Sequence, residues 1–238
     1  MQAIIMAAGK GNRISGLTDG KPKSYLEIGG EKLIERQLRI LRENGIRDII
    51  IVLGYQKQRF EADFAADDVT FVFNPFYETT NVLPSFWFGQ QFLQGDFLYL
   101  HADTIFHEDI FRDLIAAEGN MVLPVDFKAC GDEEMKVKIK DGAIIEINKT
   151  MPPESAEGEF IGIAKITSQI LPDLKKTVEN VLIEKQFSTF FEHAIQKLID
   201  ENNVAANVTS TRDLPWNEID FAEDYQKAKE LFENRNQV

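Results

Sequence analysis

The 238-residue chain reads as an α/β protein with a mixed, mainly parallel sheet flanked by helices. Three observations predict this. Short apolar runs recur with no polar interruption, as in Ala3–Ala8 and in DIIIVL at 48–53; such runs belong to strands covered on both faces. Helical periodicity separates these runs from the start, and strand–helix alternation implies parallel pairing through right-handed crossovers. Further along, two short β-type runs flank Lys140-Asp141-Gly142, a hairpin signature that makes the sheet mixed.

In order, Ala3 to Ala8 is the first strand, and it breaks at Gly9-Lys10-Gly11-Asn12-Arg13. A second loop ends in Lys21-Pro22-Lys23. Leu33, Leu38, Ile40 and Leu41 recur at helical spacing and Gly45 stops that helix. The run at 48–53 is the next strand, followed by a helix around 57–65 and a strand at 69–73. Asn74 to Ser85 is a polar loop entering a helix that carries Phe86, Trp87 and Phe88. Asp96 to Leu100 is a buried strand delivering His101-Ala102-Asp103. A helix at 107–117, a strand at 120–125, the hairpin at 135–147 and a strand starting at Glu159 follow. Residues 167–200 are helical, and Phe187, Phe190, Phe191, Ile195 and Leu198 form an apolar stripe that core packing explains better than a dimer surface. Val204–Val208 and Leu214–Asp220 are the last strands, and a closing helix shows Phe221, Tyr225, Ala228 and Phe232 on one face. Ligands of such sheets bind beyond the carboxyl ends of the strands, which is where the glycine loop and Asn74-Pro75 fall.

Composition excludes several classes. The net charge of −13 argues against nonspecific nucleic-acid binding, which needs a broad basic face. One cysteine, Cys130, rules out an internal disulfide and fits a reducing compartment. Three scattered histidines and that cysteine do not make a zinc site. No apolar run reaches membrane-spanning length and no signal-peptide pattern opens the chain, so the expected setting is the cytoplasm with no membrane partner. No repeat, low-complexity tract or linker interrupts residues 1–238, which are read as one domain.

Against this acidic background, Met1–Tyr25 carries a net charge of +3 from Lys10, Arg13, Lys21 and Lys23 against Asp19. Glycines let a loop bring backbone N–H groups close to an anion, and Arg and Lys add full charges, a combination suited to a triphosphate. The common phosphate motifs fail. Gly9–Ile14 lacks the third glycine of a dinucleotide fingerprint, and Gly16–Lys21 is one residue short of a P-loop with Pro22 where Ser or Thr belongs. On composition alone, a Gly-rich turn with solvated charges explains the loop as well.

The two-part motif Ala7-Ala8-Gly9-Lys10-Gly11-Asn12-Arg13 and Lys21-Pro22-Lys23 resembles the signature of the nucleotidyltransferase (nucleotide-diphospho-sugar pyrophosphorylase-like) superfamily. The run from Lys136 to Ile166 resembles the acceptor side of bacterial phosphocholine and 2-aminoethylphosphonate cytidylyltransferases. The resemblance implies a Rossmann-like sheet of the nucleotide-diphospho-sugar transferase fold, with a nucleotide-binding half at 1–125 and an acceptor-binding half at 126–238. It implies that Ala7, Ala8, Gly9 and Gly11 wrap the triphosphate and that Lys23 and Arg13 are catalytic. Asn81 and Ser85 match base-contacting positions of members that use CTP; Asn81 also reads as a helix cap, and both can hold because they use different atoms. Lys149 and Glu159 match substrate-side positions, although a solvent-facing pair explains them equally. Asp103 and Asp220 match the Mg²⁺ ligands. Ala102 stands where members show Gly. His101 reads as a satisfied strand-end residue rather than a catalyst. Asp220 also fits an Asp-x-x-Glu cap with Glu223.

The implied reaction is transfer of CMP from CTP to a small phosphorylated or phosphonylated amino alcohol or amine, with release of pyrophosphate. Trp87, Tyr99 and Trp216 are the aromatic candidates for an ammonium group. Trp216 is the strongest, being close in sequence to Glu218 and Asp220, with Glu159 or Glu218 as the opposing charge. A sugar-1-phosphate acceptor is the alternative, a non-catalytic nucleotide-binding domain a more remote one, and a homodimer is left open.

Overall fold

The structure, a computed structural model, describes residues 1–233. Its central strand, β1 (Gln2–Ala7), is apolar after Gln2 because both of its faces are covered. Ile4 and Met6 enter one core, while Ala3, Ile5 and Ala7 enter the other. Two short strands, β2 (Glu27–Ile28) and β3 (Glu31–Lys32), form a separate ribbon. Then come β4 (Ile49–Leu53), β5 (Val69–Phe73), β6 (Phe97–His101), β7 (Thr104–Phe106), β8 (Met121–Asp126), β9 (Lys136–Lys140), β10 (Ala143–Asn148), β11 (Gly158–Phe160), β12 (Ile163–Ile166), β13 (Ala206–Ser210) and β14 (Trp216–Glu218). Ten of these make one sheet in the order β11-β9-β10-β13-β8-β12-β6-β1-β4-β5. Its pairings leave seven strands running one way and β10, β11 and β12 running against them.

The helices are α1 (Ser15–Thr18), α2 (Leu33–Glu43), α3 (Lys57–Phe64), α4 (Val82–Gly89), α5 (Glu108–Ala116), α6 (Leu171–Ile183), α7 (Phe191–Asn202) and α8 (Ala222–Glu233). Apolar stripes of α2, α3 and α5 cover one face of the sheet, and those of α4, α6 and α7 the other. Helix α8 closes a third, smaller core with Ile14, Leu26, Ile28, Ile105 and Ile219. Among the described residues no helix is long and apolar enough to cross a membrane.

Three expectations need correction. The run from Glu159 to Ile163 is two strands, because the chain turns at Gly162 (φ +78°), where a Cβ would stand 2.7 Å from His101 Nδ1. The last strand is shorter than expected and leaves the main sheet: β14 pairs with β7, setting Trp216 opposite Phe106 and Glu218 opposite Thr104. The stripe at 187–198 is not all core. Phe191, Ile195 and Leu198 are buried, whereas Phe187 and Phe190 lie exposed before α7 begins.

The loop after β5 is organised by Asn74, which is fully buried. Its Oδ1 accepts the Phe76 N–H (2.8 Å), and its Nδ2 donates to Thr80 Oγ1 (3.1 Å) and to Ser85 Oγ (2.9 Å). One amide thus pins an eleven-residue return. Asn74→Ala should cost about 1–3 kcal/mol, since it strips partners from buried polar groups. Urea unfolding would measure this, and an unchanged midpoint would mean that the loop is held by other contacts.

Candidate active site

Lys23 lies where the two glycine-bounded loops meet the sheet edge. Its ammonium is 2.5 Å from Asp103 Oδ2 and 2.7 Å from Asp220 Oδ1. Burial alone would lower the Lys23 pKa, but the two carboxylates outweigh it and hold the group charged. Asp103 follows β6, and Asp220 lies two residues beyond β14. The β7–β14 ribbon brings them together, with the Ile219 N–H donating to the Asp103 carbonyl (3.1 Å). Gly11 has φ +68°, and a Cβ there would stand 3.0 Å from Lys23 Cβ, so the loop packs directly on the lysine stem. Gly9 has open space on its Cβ side. Gly9, Gly11, Ala7, Lys23, Ala102 and Asp103 enclose a small space of about 110 Å³.

Next to it lies a cavity of about 230 Å³. Ala8 and Gly9 line it from the first loop, Asn81 and Ser85 from the α4 entrance, and Asp103, Glu218 and Asp220 from the lysine side. Asn81 caps α4 through its Oδ1 on the Val82 N–H (2.8 Å) while also facing this cavity. Lys149 lines the same space, its ammonium 5.2 Å from the Phe190 ring centroid.

A second cavity, of about 250 Å³, lies on the other side of Glu218 and Asp220, which line both. Trp216, Glu159 and Lys128 belong to it, and carboxylates outnumber lysines seven to two along its wall. Lys149 and Glu159, adjacent in the sequence reading, are therefore not together, and Glu159 is not solvent-facing: it is 6% exposed. Its ammonium partner is Lys128, 2.7 Å away. Burial raises the Glu159 pKa to about 7; Lys128 pulls against the shift, and the Glu134 and Glu218 charges add to it. The Trp216 ring carries the same Lys128 ammonium at 5.2 Å. Of the other aromatic candidates, Tyr99 is fully buried and Trp87 lines an apolar groove with Phe187, away from both cavities.

Arg13 spans the rim, 3.7 Å from Asp220 Oδ2 and stacked 5.0 Å from the Phe221 ring centroid. The cap reading of Asp220 fails. The Asp224 carboxylate accepts the N–H groups of Asp220 and Phe221, which leaves the Asp220 side chain turned to Lys23. Two carboxylate oxygens converging on one cation are the hard donor set that a divalent ion such as Mg²⁺ takes. The ligand atoms of His101, Asp103 and Glu218 also lie within 4.8 Å of one another.

His101 is a satisfied strand-end residue, as the sequence suggests, while Phe190 departs from its expected place in the core. His101 lines the first cavity, with Nε2 2.8 Å from Tyr99 Oη and Nδ1 3.4 Å from Glu218 Oε1. Burial lowers its pKa, but Glu218 and Glu192 reverse the sign and raise it to about 9. Phe190 was read as core, and a phenylalanine at a helix entrance carries no signal that would separate core from cavity.

Gly11→Ala should cost about 1–2 kcal/mol from the left-handed backbone alone, measurable by urea unfolding; Gly9→Ala should cost nothing there. Glu159 predicts a pH effect. A carboxyl with a raised folded pKa binds more protons folded than unfolded, so its contribution to stability declines as pH rises from the ordinary carboxylate range to about 7. The stability of Glu159→Gln relative to the parent should therefore improve between about pH 5 and about pH 8, as read from unfolding midpoints. A flat difference would refute the shift.

Residues 3–132 match the family model of the MobA-like NTP transferase domain. Across nearly its whole length the chain is 28% identical to the CTP:phosphoglutamine cytidylyltransferase of Campylobacter jejuni, covering 95% of this chain and 98% of that one. It is also 28% identical to the choline-phosphate cytidylyltransferase of Streptococcus pneumoniae, over 99% and 100%. In fold, it matches the solved CTP:phosphocholine cytidylyltransferase from Streptococcus pneumoniae with a TM-score of 0.80 at 24% identity, over 96% and 97% of the chains. The inositol-1-phosphate CTP transferase from T. maritima matches with a TM-score of 0.81 at 21%, over 99% and 96%. With its N-terminal glycine loop, its Lys23 node and this match, the chain belongs to the MobA-like NTP transferase family and is a nucleotidyltransferase.

Proposed function

We propose that this chain transfers CMP from CTP to a small phosphorylated or phosphonylated acceptor bearing an ammonium group, with phosphocholine and 2-aminoethylphosphonate as the leading candidates. The observation that carries the reading is the shared wall. Glu218 and Asp220 face a cavity bordered by the glycine loop on one side and an acidic, aromatic cavity on the other, so two substrates would meet beside Lys23. The names of the two 28% identical relatives support the nucleotide and the phosphorylated acceptor.

In this reading Ala7, Ala8, Gly9 and Gly11 line the triphosphate, and Asn81 and Ser85 select the base. An acceptor phosphate is largely dianionic near neutral pH, so it needs no general base. Its oxygen forms a bond to the α-phosphorus as the bond to the bridging oxygen breaks, and pyrophosphate leaves with that electron pair. Two anions must meet, so catalysis is positioning and charge neutralisation. Lys23 donates to the α-phosphate oxygens, and Arg13 covers the charge at the rim. Asp103 and Asp220 would hold Mg²⁺, which supplies charge neutralisation on the phosphates.

A pyrophosphate-release screen over four nucleotides, with phosphocholine, 2-aminoethylphosphonate, glucose-1-phosphate and glycerol-3-phosphate, tests the whole reading. CTP with an ammonium-bearing acceptor should give the highest kcat/KM. A preference for the sugar phosphate would overturn the acceptor, and comparable rates with UTP or ATP would overturn the base. Lys23→Ala should lose on the order of 100-fold or more in kcat, the scale of one transition-state donor. Asp103→Ala and Asp220→Ala should abolish Mg²⁺-dependent turnover, whereas Asp224→Ala should mainly lose stability. Near-normal kcat in a folded Lys23→Ala protein would remove the lysine from the mechanism.

A further inference from the structure

The second cavity already contains a cation, and it belongs to the protein. Lys128 lies two residues past β8 and turns its ammonium into the cavity. Nζ is 2.7 Å from Glu159 Oε2, 3.7 Å from Asp126 Oδ2 and 5.2 Å from the Trp216 ring centroid. A desolvated carboxylate and an aromatic face are the two partners that hold an ammonium group. One lysine occupies both.

Lys128 compensates the buried Glu159 charge, but its own side chain is 36% exposed, so its ammonium can leave for solvent. Glu159, by contrast, is buried with its acid facing the cavity. With seven carboxylates against two lysines on the wall, an incoming ammonium is attracted rather than repelled once Lys128 swings out to solvent on its four-carbon stem.

We propose that Lys128 is a tethered occupant of the seat for the acceptor's ammonium group, so that a cationic acceptor binds by displacing it and the vacated Glu159 discriminates between head groups. The inference rests on reading the second cavity as the acceptor's. The discrimination follows from hydrogen bonding. A primary ammonium restores both the contact with Trp216 and the N–H donation to Glu159, so the exchange is like for like. A trimethylammonium restores the aromatic contact only and leaves a buried carboxylate without a donor. The tether also makes Lys128 a competitor at an effective concentration in the millimolar range. The acceptor class is therefore a primary ammonium with a phosphate or phosphonate at its other end, and trimethylated acceptors are handicapped at Glu159.

The test is a ligand-observed NMR titration of the full chain with choline, ethanolamine and the neutral isostere 3,3-dimethylbutan-1-ol. In the parent, ethanolamine should bind more tightly than choline. In Lys128→Ala both amines should tighten by roughly 10-fold, the scale of one recovered cation–π contact, and the neutral alcohol should not change. Lys128→Gln keeps the stem and drops the charge, and should move the same way. Amine affinities that stay level or fall in both variants would overturn the inference, as would equal tightening of the neutral alcohol. Failure of the proposed function looks different. If both amines tighten as expected but no ammonium-bearing acceptor yields pyrophosphate with CTP, the cation seat stands and the acceptor assignment falls. If the parent turns over 2-aminoethylphosphonate and Lys128 variants leave amine binding unaltered, the reverse holds.

Discussion

The contact on which this site depends is one ammonium between two carboxylates. Lys23 touches Asp103 and Asp220, residues contributed by a loop after the first strand, a turn after the sixth and a turn after the last. Removing one partner from such a buried arrangement typically costs 3–5 kcal/mol, because the remaining charges lose their compensation. The lysine side chain is only 14% exposed, so this penalty is barely relieved by water. Segments nearly 200 residues apart are therefore committed to one another before any substrate arrives. The remaining geometry follows: Gly11 must lack a Cβ to lie against the Lys23 stem, and the β7–β14 ribbon must bend out of the sheet to deliver Asp220.

Much of this was legible in the residues. Strand β1 and its glycine loop were visible because the apolar run Ala3–Ala8 is short and ends in a conspicuous change of composition. Asp103 could be located because a buried strand points at it. Asp220 was placed by the resemblance alone, and its local structure differs from the expected one. The expected strand through Asp220 stops at Glu218, since a two-stranded ribbon needs only three paired residues and its partner, β7, has no periodicity long enough to read. Ala102, where relatives of the resembled family carry Gly, cost nothing visible: it lines the small space beside Lys23 and Asp103 without obstructing them.

What stayed hidden was lateral placement. Lys149 and Glu159 lie ten residues apart, yet they face different cavities, because the loop between them crosses the rim and β11 returns along β8. Periodicity reports which face of an element is buried, and it does not report which side of a wall a loop residue ends on. His101 is the satisfied strand-end residue that was expected, and only its distant neighbours were hidden. A histidine closing a strand is satisfied locally, here by Tyr99 and Glu218, and nothing in its own segment indicates that Glu192 comes within 3.9 Å from a helix ninety residues later.

The acidity of the chain and the basicity of its first loops belong to one electrostatic design. The proposed reaction needs cations where the phosphates meet and anions where the acceptor's ammonium rests. The positive groups, Lys23 and Arg13, come from the N-terminal loops and gather at the Asp103–Asp220 edge. The negative groups come from later in the chain and surround Trp216. Each region would be unstable as an isolated patch of like charge, and each borrows a counter-ion from within: Asp103 and Asp220 for the lysine, Lys128 for Glu159. In the free protein each seat thus holds an internal ion pair. Under the proposed displacement, an entering substrate ion exchanges with an internal partner rather than filling a void, which makes selectivity a difference between two ion pairs rather than the strength of one.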